Sequence, residues 1–213
     1  MISKHKLENL LFVGPKSAIG AQLVKFLSVD FGIKELRLSA IRKETMKEQI
    51  GFELKELPIH CCVISTRVRT KNVEEAITGE TIILMELIDY LCTVKRCRSI
   101  VILGSITGSR IDSTSTLAYH LTKSLLDVLC RFYAVTQSQT RINVISLFHV
   151  DKYKLKDMSF KAFIEDVKNR TPSNHVTTVH DIYNTAEFLL SPKSRQITGQ
   201  VISLNGGYSL LQN

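Results

Sequence analysis

The chain has 213 residues, with 28 Lys and Arg against 20 Asp and Glu, giving a formal net charge of +8. Hydrophobic residues make up 44%, with 10 Gly and 4 Pro. This composition excludes collagen, low-complexity and disordered classes and fits one globular domain over residues 1–213. The longest apolar runs, such as Leu10 to Val13 and Ser99 to Leu103, fall far short of a membrane span. The amino terminus, Met-Ile-Ser-Lys-His-Lys, has no apolar run behind it, which argues against an export signal. Cys61, Cys62, Cys92, Cys97 and Cys130 are an odd set without zinc-site spacing. They point to a reducing, cytoplasmic setting and to no metal. Arg37, Arg42, Lys43 and Lys47 alternate with Glu35, Glu44 and Glu48. That reads as a solvated face, so nucleic acid is not expected as a partner, and neither is a membrane.

The first unit is a buried strand over residues 8–13, a glycine turn from Gly14, and a helix over 19–27 with Ile19, Leu23, Val24 and Leu27 on one face. Gly32 ends that unit and a second strand covers 35–39. Residues 42–56 read as a short helix and an edge strand. Strands follow at 59–65, 99–103, 142–147 and 200–204, and helices at 74–95, 119–133 and 181–190. The strands show no alternation, so both of their faces are covered. The fold class is therefore α/β, a Rossmann-like doubly wound parallel sheet with helices on both faces. His60, Cys61 and Cys62 are neighbours on a strand, point to opposite faces and read as core. Phe160, Phe163 and Ile164 suggest a small lid helix. His120, next to Tyr119 but on another face, suggests an interface residue.

Two places carry chemistry. Gly14 and Gly20 bracket the start of the first helix, where backbone N–H groups and Lys16 would meet a diphosphate. The spacing excludes a Walker A loop. Ser105 stands at the end of an apolar strand, where doubly wound sheets present ligands. Tyr119 and Lys123 are four apart and share a helix face. A nearby ammonium favours a phenolate, and a hydroxyl at Ser105 would hold an alcohol or carbonyl oxygen beside it.

These segments together resemble the short-chain dehydrogenase/reductase family. Val13-Gly14 through Ala18-Ile19-Gly20 is similar to its glycine turn, and Gly104-Ser105 through Gly108 to its serine segment. Tyr119-His-Leu-Thr-Lys123 matches its Tyr-x-x-x-Lys motif, and Arg141 to Ser146 its sixth strand. Ile197-Thr198-Gly199 through Gly206-Gly207 matches its C-terminal signature. The resemblance implies a nicotinamide cofactor, hydride transfer to or from a small carbonyl or alcohol, and a homodimer or homotetramer. It implies Ser105 as the oxygen holder, Tyr119 as general acid or base, and Lys123 as its electrostatic partner and ribose ligand. It places Gly14, Lys16, Ser17, Ile19, Gly20, Arg42 and Ser65 beside the cofactor, with Tyr119 and Lys123. Ile197 and Thr198 would belong to a subunit-packing segment. Arg42 and the lack of an acidic residue after the second strand favour NADP over NAD.

The chain also departs from the family pattern. Ala18 replaces the middle glycine. Ser65-Thr66-Arg67 stands where Asn-Asn-Ala-Gly is usual, and Leu147-Phe148 where Pro-Gly is usual. The central helix has no Asn near Thr78 and Gly79, and Asn72 falls in the preceding loop. The stretch from Gly14 to Ser65 is too short for a full cofactor-binding half, which is therefore trimmed around Ile41 to Pro58. Two readings stay open: an active NADP-dependent oxidoreductase, and a scaffold or binding protein that has lost its cofactor.

Overall fold

The computed structural model describes residues 8–14, 16–37, 45–55, 58–66, 70–151 and 158–211. Arg42 and Arg67, and the basic residues Lys152, Lys154 and Lys156, lie outside the described residues. In chain order come β1 (Glu8–Val13), α1 (Ala18–Leu27), β2 (Phe31–Leu36), α2 (Met46–Leu54) and β3 (Cys61–Ser65). A long helical stretch follows as α3 (Val73–Ala76), a π-helical segment (Ile77–Ile82) and α4 (Ile83–Thr93). Then come β4 (Ser99–Ser105), a 3₁₀ turn (Ile106–Gly108), α5 (Leu117–Thr136) and β5 (Arg141–Leu147). β6 (Val150–Asp151), α6 (Met158–Asn169), β7 (Thr177–Thr178), α7 (Val179–Leu190) and β8 (Val201–Leu204) complete the chain.

Six strands form one parallel sheet in the order β2-β1-β3-β4-β5-β8. Successive residues of each central strand feed opposite cores. Leu11, Val13, Cys62, Ile64, Ile100 and Ile102 pack with α2, α4 and α5. Leu10, Phe12, Cys61, Val63, Val101 and Leu103 pack with α1 and α7. Burial on both faces is why the strands lack alternation in sequence. All five cysteines are buried within these cores as free thiols, with no disulfide among them. The chain leaves β1 for β2 on one side and returns beside β1 as β3 on the other. A crevice therefore opens above the carboxyl ends of β1 and β3, at the topological switch point. In the common doubly wound order a further strand lies outside the second. Here β2 is outermost among the described residues, which is the trimmed half that the short Gly14–Ser65 interval implies.

β2 begins four residues earlier than the sequence suggests, and Gly32 lies inside it rather than ending the preceding unit. The bonds from Val29 and Asp30 back to Phe26 and Leu27 turn the chain early, so pairing starts at Glu8 with Phe31. Gly32 pairs with Asn9 of β1, and a Cβ there would lie 3.0 Å from the Asn9 side-chain oxygen, a close contact that a small shift of that side chain would relieve. No edge strand occurs in the described part of 42–56, where α2 packs Ile50 and Leu54 into the core. Arg141, the first residue of β5, ties down the end of α7. Its guanidinium donates to the carbonyls of Leu189, Ser191 and Ser194 and to the Ser194 hydroxyl, at 2.8–3.2 Å. The Leu189 and Ser191 carbonyls also accept from the Ser194 hydroxyl, so the guanidinium joins a shared network at the end of α7.

The connection from β4 to α5 is clamped rather than loose. Asp112 accepts bonds from the Thr114 amide and hydroxyl and from the Ser115 amide, at 2.7–2.9 Å. His120, buried on α5, reaches the carbonyls of Thr107 and Asp112 at 3.1 and 3.2 Å. His120 is therefore an internal staple and not the surface interface residue that its position suggests. The Thr114 hydroxyl, helped by Ser115, holds the Asp112 carboxyl down at about 2, against the desolvation that would raise it. A carboxyl depressed on folding stabilises above its unfolded value near 3.9 and loses that contribution as pH falls toward 2. Asp112→Ala is thus expected to lower stability by about 1 kcal/mol at pH 6. In denaturant titrations the gap to wild type should close between pH 5 and pH 2. A gap that does not change with pH would count against this role.

Candidate active site

Gly14 ends β1 in the left-handed region, at φ 80°. Its N–H donates to the Leu36 carbonyl at 2.9 Å, and a Cβ there would lie 1.9 Å from the Ser65 carbonyl oxygen. Gly14 is thus the point where β1, β2 and β3 draw together beneath the crevice. Ser17 caps α1, its hydroxyl accepting from the Gly20 N–H at 2.8 Å. The same hydroxyl lies 3.4 Å from that of Ser65 on β3. The first-turn amides of Ala18 and Ile19 have no intrahelical acceptor and face the mouth of the crevice.

A cavity of about 340 Å³ fills this crevice. Ser17, Ala18 and Ile19 form one side, with Ser65 and Thr66 beyond β3. Ser105, Tyr119 and Lys123 form the floor, and Phe148, Phe163 and Ile164 close the far side. Six of the residues picked from the sequence therefore share one cavity: Ser17, Ile19, Ser65, Ser105, Tyr119 and Lys123. Gly14 and Gly20 shape its edge without lining it, and Lys16 is exposed beside it. Phe163 and Ile164 sit on α6, a full helix of 12 residues rather than a short lid segment.

The catalytic candidates come from two elements held together by close packing. Thr107 donates to Ser105 Oγ from its hydroxyl at 3.0 Å and from its amide at 3.4 Å. Both bonds treat Ser105 as acceptor, which leaves its own proton to donate into the cavity. A Cβ on Gly108 would lie 2.9 Å from the Lys123 carbonyl oxygen and 3.1 Å from Asp127 Oδ2. Ser124 donates to the Gly108 carbonyl at 2.8 Å. The turn after β4 thus lies directly on α5, one turn from Tyr119. Thr116 caps α5 by accepting from the Tyr119 amide at 3.2 Å.

Lys123 is 3% exposed. Its ammonium donates to the Thr66 hydroxyl at 3.0 Å and the Thr66 carbonyl at 3.2 Å. It lies 5.6 Å from the centre of the Tyr119 ring. Burial pushes the Lys123 ammonium below its usual value, and the nearby Glu80 carboxylate opposes that shift. Thr66 and Thr107 escape sequence reasoning, because each acts on a residue that only the fold or a tight turn brings near. Asn72 caps α3, accepting from the Glu75 amide at 3.1 Å, and takes no part in the cavity. Ile197 and Thr198 work inside the chain. The Ile197 carbonyl accepts from Asn143, and the Thr198 hydroxyl from the Ile142 amide.

A second cavity, of about 560 Å³, lies on the other side of Ser105 and Tyr119. Ser105, Tyr119, Phe148 and His149 line both cavities. Phe148 stacks on Tyr208 with ring centres 3.9 Å apart, and His149 meets Phe163 edge-on at 4.6 Å. An aromatic wall thus runs along the two cavities, with Ser105 and Tyr119 lining both. No cluster of metal-ligating side chains occurs among the described residues. No described helix is long and apolar enough to cross a membrane.

Residues 65–209 match the family model described as enoyl-(acyl carrier protein) reductase. The chain is 34% identical to the enoyl-(acyl carrier protein) reductase (NADH) of Buchnera aphidicola over 132 residues, covering 57% of this chain and 50% of that protein. A tropinone reductase homolog of Arabidopsis thaliana is 31% identical over 115 residues, covering 53% of the chain and 43% of its own length. The chain thus spans about half the length of the curated relatives it matches. A short chain dehydrogenase family protein from Francisella tularensis has the same fold, with a TM-score of 0.76 at 20% identity, covering 96% of this chain and 100% of that one. A gluconate 5-dehydrogenase from Burkholderia cenocepacia, solved with NADP and tartrate, aligns with a TM-score of 0.76 at 14% identity, covering 96% of each chain. With the family model matched over more than half of its length, and with the serine, tyrosine and lysine of its motifs gathered at one crevice, the chain belongs to the short-chain dehydrogenase/reductase family.

Proposed function

We propose that the protein is a nicotinamide-dependent oxidoreductase acting on a small carbonyl or alcohol. One observation carries this reading: Ser105 and Tyr119 stand where the crevice at the sheet's switch point meets a second cavity large enough for a small substrate. The crevice residues fit a dinucleotide. The free amides at the start of α1 and the Ser17 and Ser65 hydroxyls suit a diphosphate, and Lys123 and Thr66 suit a ribose. Once bound there, the cofactor supplies or accepts the hydride. Ser105 donates a hydrogen bond to the substrate oxygen. Tyr119 exchanges a proton with that oxygen, and the buried Lys123 ammonium stabilises the charge left on the phenol. Phe148, Phe163 and Ile164 keep water from the reacting carbon. The scaffold alternative receives no support from this arrangement, because the crevice is open and its polar groups converge.

Tyr119→Phe is expected to lower kcat/KM for ketone reduction by about a hundredfold or more. Nucleotide affinity should be unchanged, as measured by nicotinamide fluorescence. Turnover that survives the substitution would remove Tyr119 from the mechanism.

The relatives point both ways on the cofactor, since one name carries NADH and one neighbouring structure holds NADP. β2 ends at Leu36, so the residue directly after it is Arg37 and not Arg42. Arg37 lines a hollow of about 630 Å³ between β2 and α2. A cation at this strand end suits a 2′-phosphate, and the reading is therefore NADP(H). Wild type is expected to bind NADPH about tenfold more tightly than NADH. Arg37→Glu should remove that difference with little change for NADH. Equal wild-type affinities would overturn the preference.

The reading includes a homo-oligomer in a reducing, cytoplasmic compartment, which the five free cysteines support. Leu121, Val128, Phe132 and Val135 lie exposed along α5, with Met85 exposed on α4. An apolar stripe of this kind suits a second copy of the chain. Phe132→Glu is expected to convert an oligomer to a monomer in light scattering. A wild type that is already monomeric would remove this part.

A further inference from the structure

We propose that the second cavity selects substrates bearing a carboxylate, and that Arg110 is the residue that binds it. This rests on the oxidoreductase reading and names its substrate class, a small oxo acid or the matching hydroxy acid.

Arg110 follows the Ile106–Gly108 turn, and its amide donates to the Ile106 carbonyl at 2.9 Å, so its backbone is fixed close to Ser105. Its side chain is half-buried at the cavity wall. The guanidinium carbon lies 5.8 Å from the centre of the Tyr208 ring, which itself stacks on Phe148. An aromatic face on one side steers a guanidinium and leaves its N–H fork open for a planar anion. No carboxylate pairs with Arg110 among the described residues. The nearest acidic side chain in sequence, Asp112, also lines the cavity. Its carboxylate is taken up by Thr114 and Ser115 and lies 3.7 Å from His120. Among the described residues, Arg110 is therefore the cation of this cavity that is left to meet a ligand.

The rest of the wall is mixed, with hydroxyl residues such as Ser113 and Thr114 beside the apolar surfaces of Ile106, Ile111 and Phe148. A small oxo acid finds apolar contact for its carbons and the Arg110 fork for its carboxylate. With its carboxylate on Arg110, such a substrate presents its carbonyl toward Ser105 and Tyr119. In the reductive direction the carbonyl carbon takes a hydride from the reduced nicotinamide, which is left oxidised. The oxygen takes a proton from Tyr119, and the product is the hydroxy acid.

The test uses pairs of equal size: pyruvate with pyruvamide, acetoacetate with acetoacetamide, and 4-oxopentanoate with 4-oxopentanamide. Binding is measured by calorimetry in the presence of the oxidised cofactor, and turnover by loss of nicotinamide absorbance. Wild type is expected to favour at least one acid over its amide by about tenfold or more, in affinity and in kcat/KM. Arg110→Gln should abolish that preference by raising KM for the acid, with the amide nearly unchanged. Arg110→Lys should restore part of it, which a merely structural arginine would not show. Equal binding of every acid and its amide overturns the carboxylate site, even if both are reduced. Binding of an acid that depends on Arg110 without any nicotinamide oxidation upholds the site and overturns the catalytic reading instead.

Discussion

The fit of the Ile106–Gly108 turn against α5 governs the site. Gly108 has no room for a side chain, because the Lys123 carbonyl and the Asp127 carboxyl occupy the space a Cβ would need. Ser124 and His120 bond the turn to the same helix. Ser105 lies at one end of this contact, and Tyr119 and Lys123 lie along the other partner. Their relative positions are therefore set by backbone packing and not by flexible side chains. A reacting oxygen must meet both hydroxyls at once, and small errors in such geometry cost large factors in rate. The bonds from Thr107 to Ser105 add the last constraint, since they fix which way the serine proton points.

The fold was legible where both faces of a strand are buried. Runs such as Leu10–Val13 and Ser99–Leu103 can be little else than central parallel strands, and their helices follow from ordinary periodicity. β2 was harder. Its burial is partial and its sequence, Phe-Gly-Ile-Lys-Glu-Leu, reads as a turn followed by a strand because Gly32 signals a break. Only the pairing with Asn9 of β1 shows that the strand runs through that glycine. At the site, Ser105, Tyr119 and Lys123 were readable because motif spacing places them on one strand end and one helix face. Thr66 was not, because its bond to Lys123 joins residues 57 apart in the chain. Arg110 and His120 carry no local pattern either. Each acquires its meaning from a loop folded back over a helix.

Trimming the cofactor half alters one end of the crevice and spares the other. The strands that carry Ser65 and Ser105 lie at the middle of the sheet and keep full pairing on both sides. Among the described residues β2 is the outermost strand, and α2 lies beside it with a hollow next to Arg37. The chemical end of the site is therefore built on the most buried strands, and the missing material belongs to the end that would hold the nucleotide's adenosine. Affinity for a nucleotide should suffer more from such a loss than the geometry of proton transfer, since the two rest on different parts of the sheet.

Lys123 is a costly residue to bury in this crevice. Moving an ammonium out of water costs several kcal/mol even after local relaxation. Two bonds to Thr66 and the field of Glu80 offset part of that cost, while burial still pushes the amine below its usual value. A site kept only for packing has a simpler solution at this position, because an apolar side chain of similar length would fill the space without desolvating a charge. The cation makes sense when a negative charge develops near it. The phenol of Tyr119, one helical turn away with its ring centre 5.6 Å from the ammonium, is the group placed to develop one. In the proposed reaction the buried charge and the tyrosine would act together, and both are carried on the helix that the Gly108 turn holds against β4.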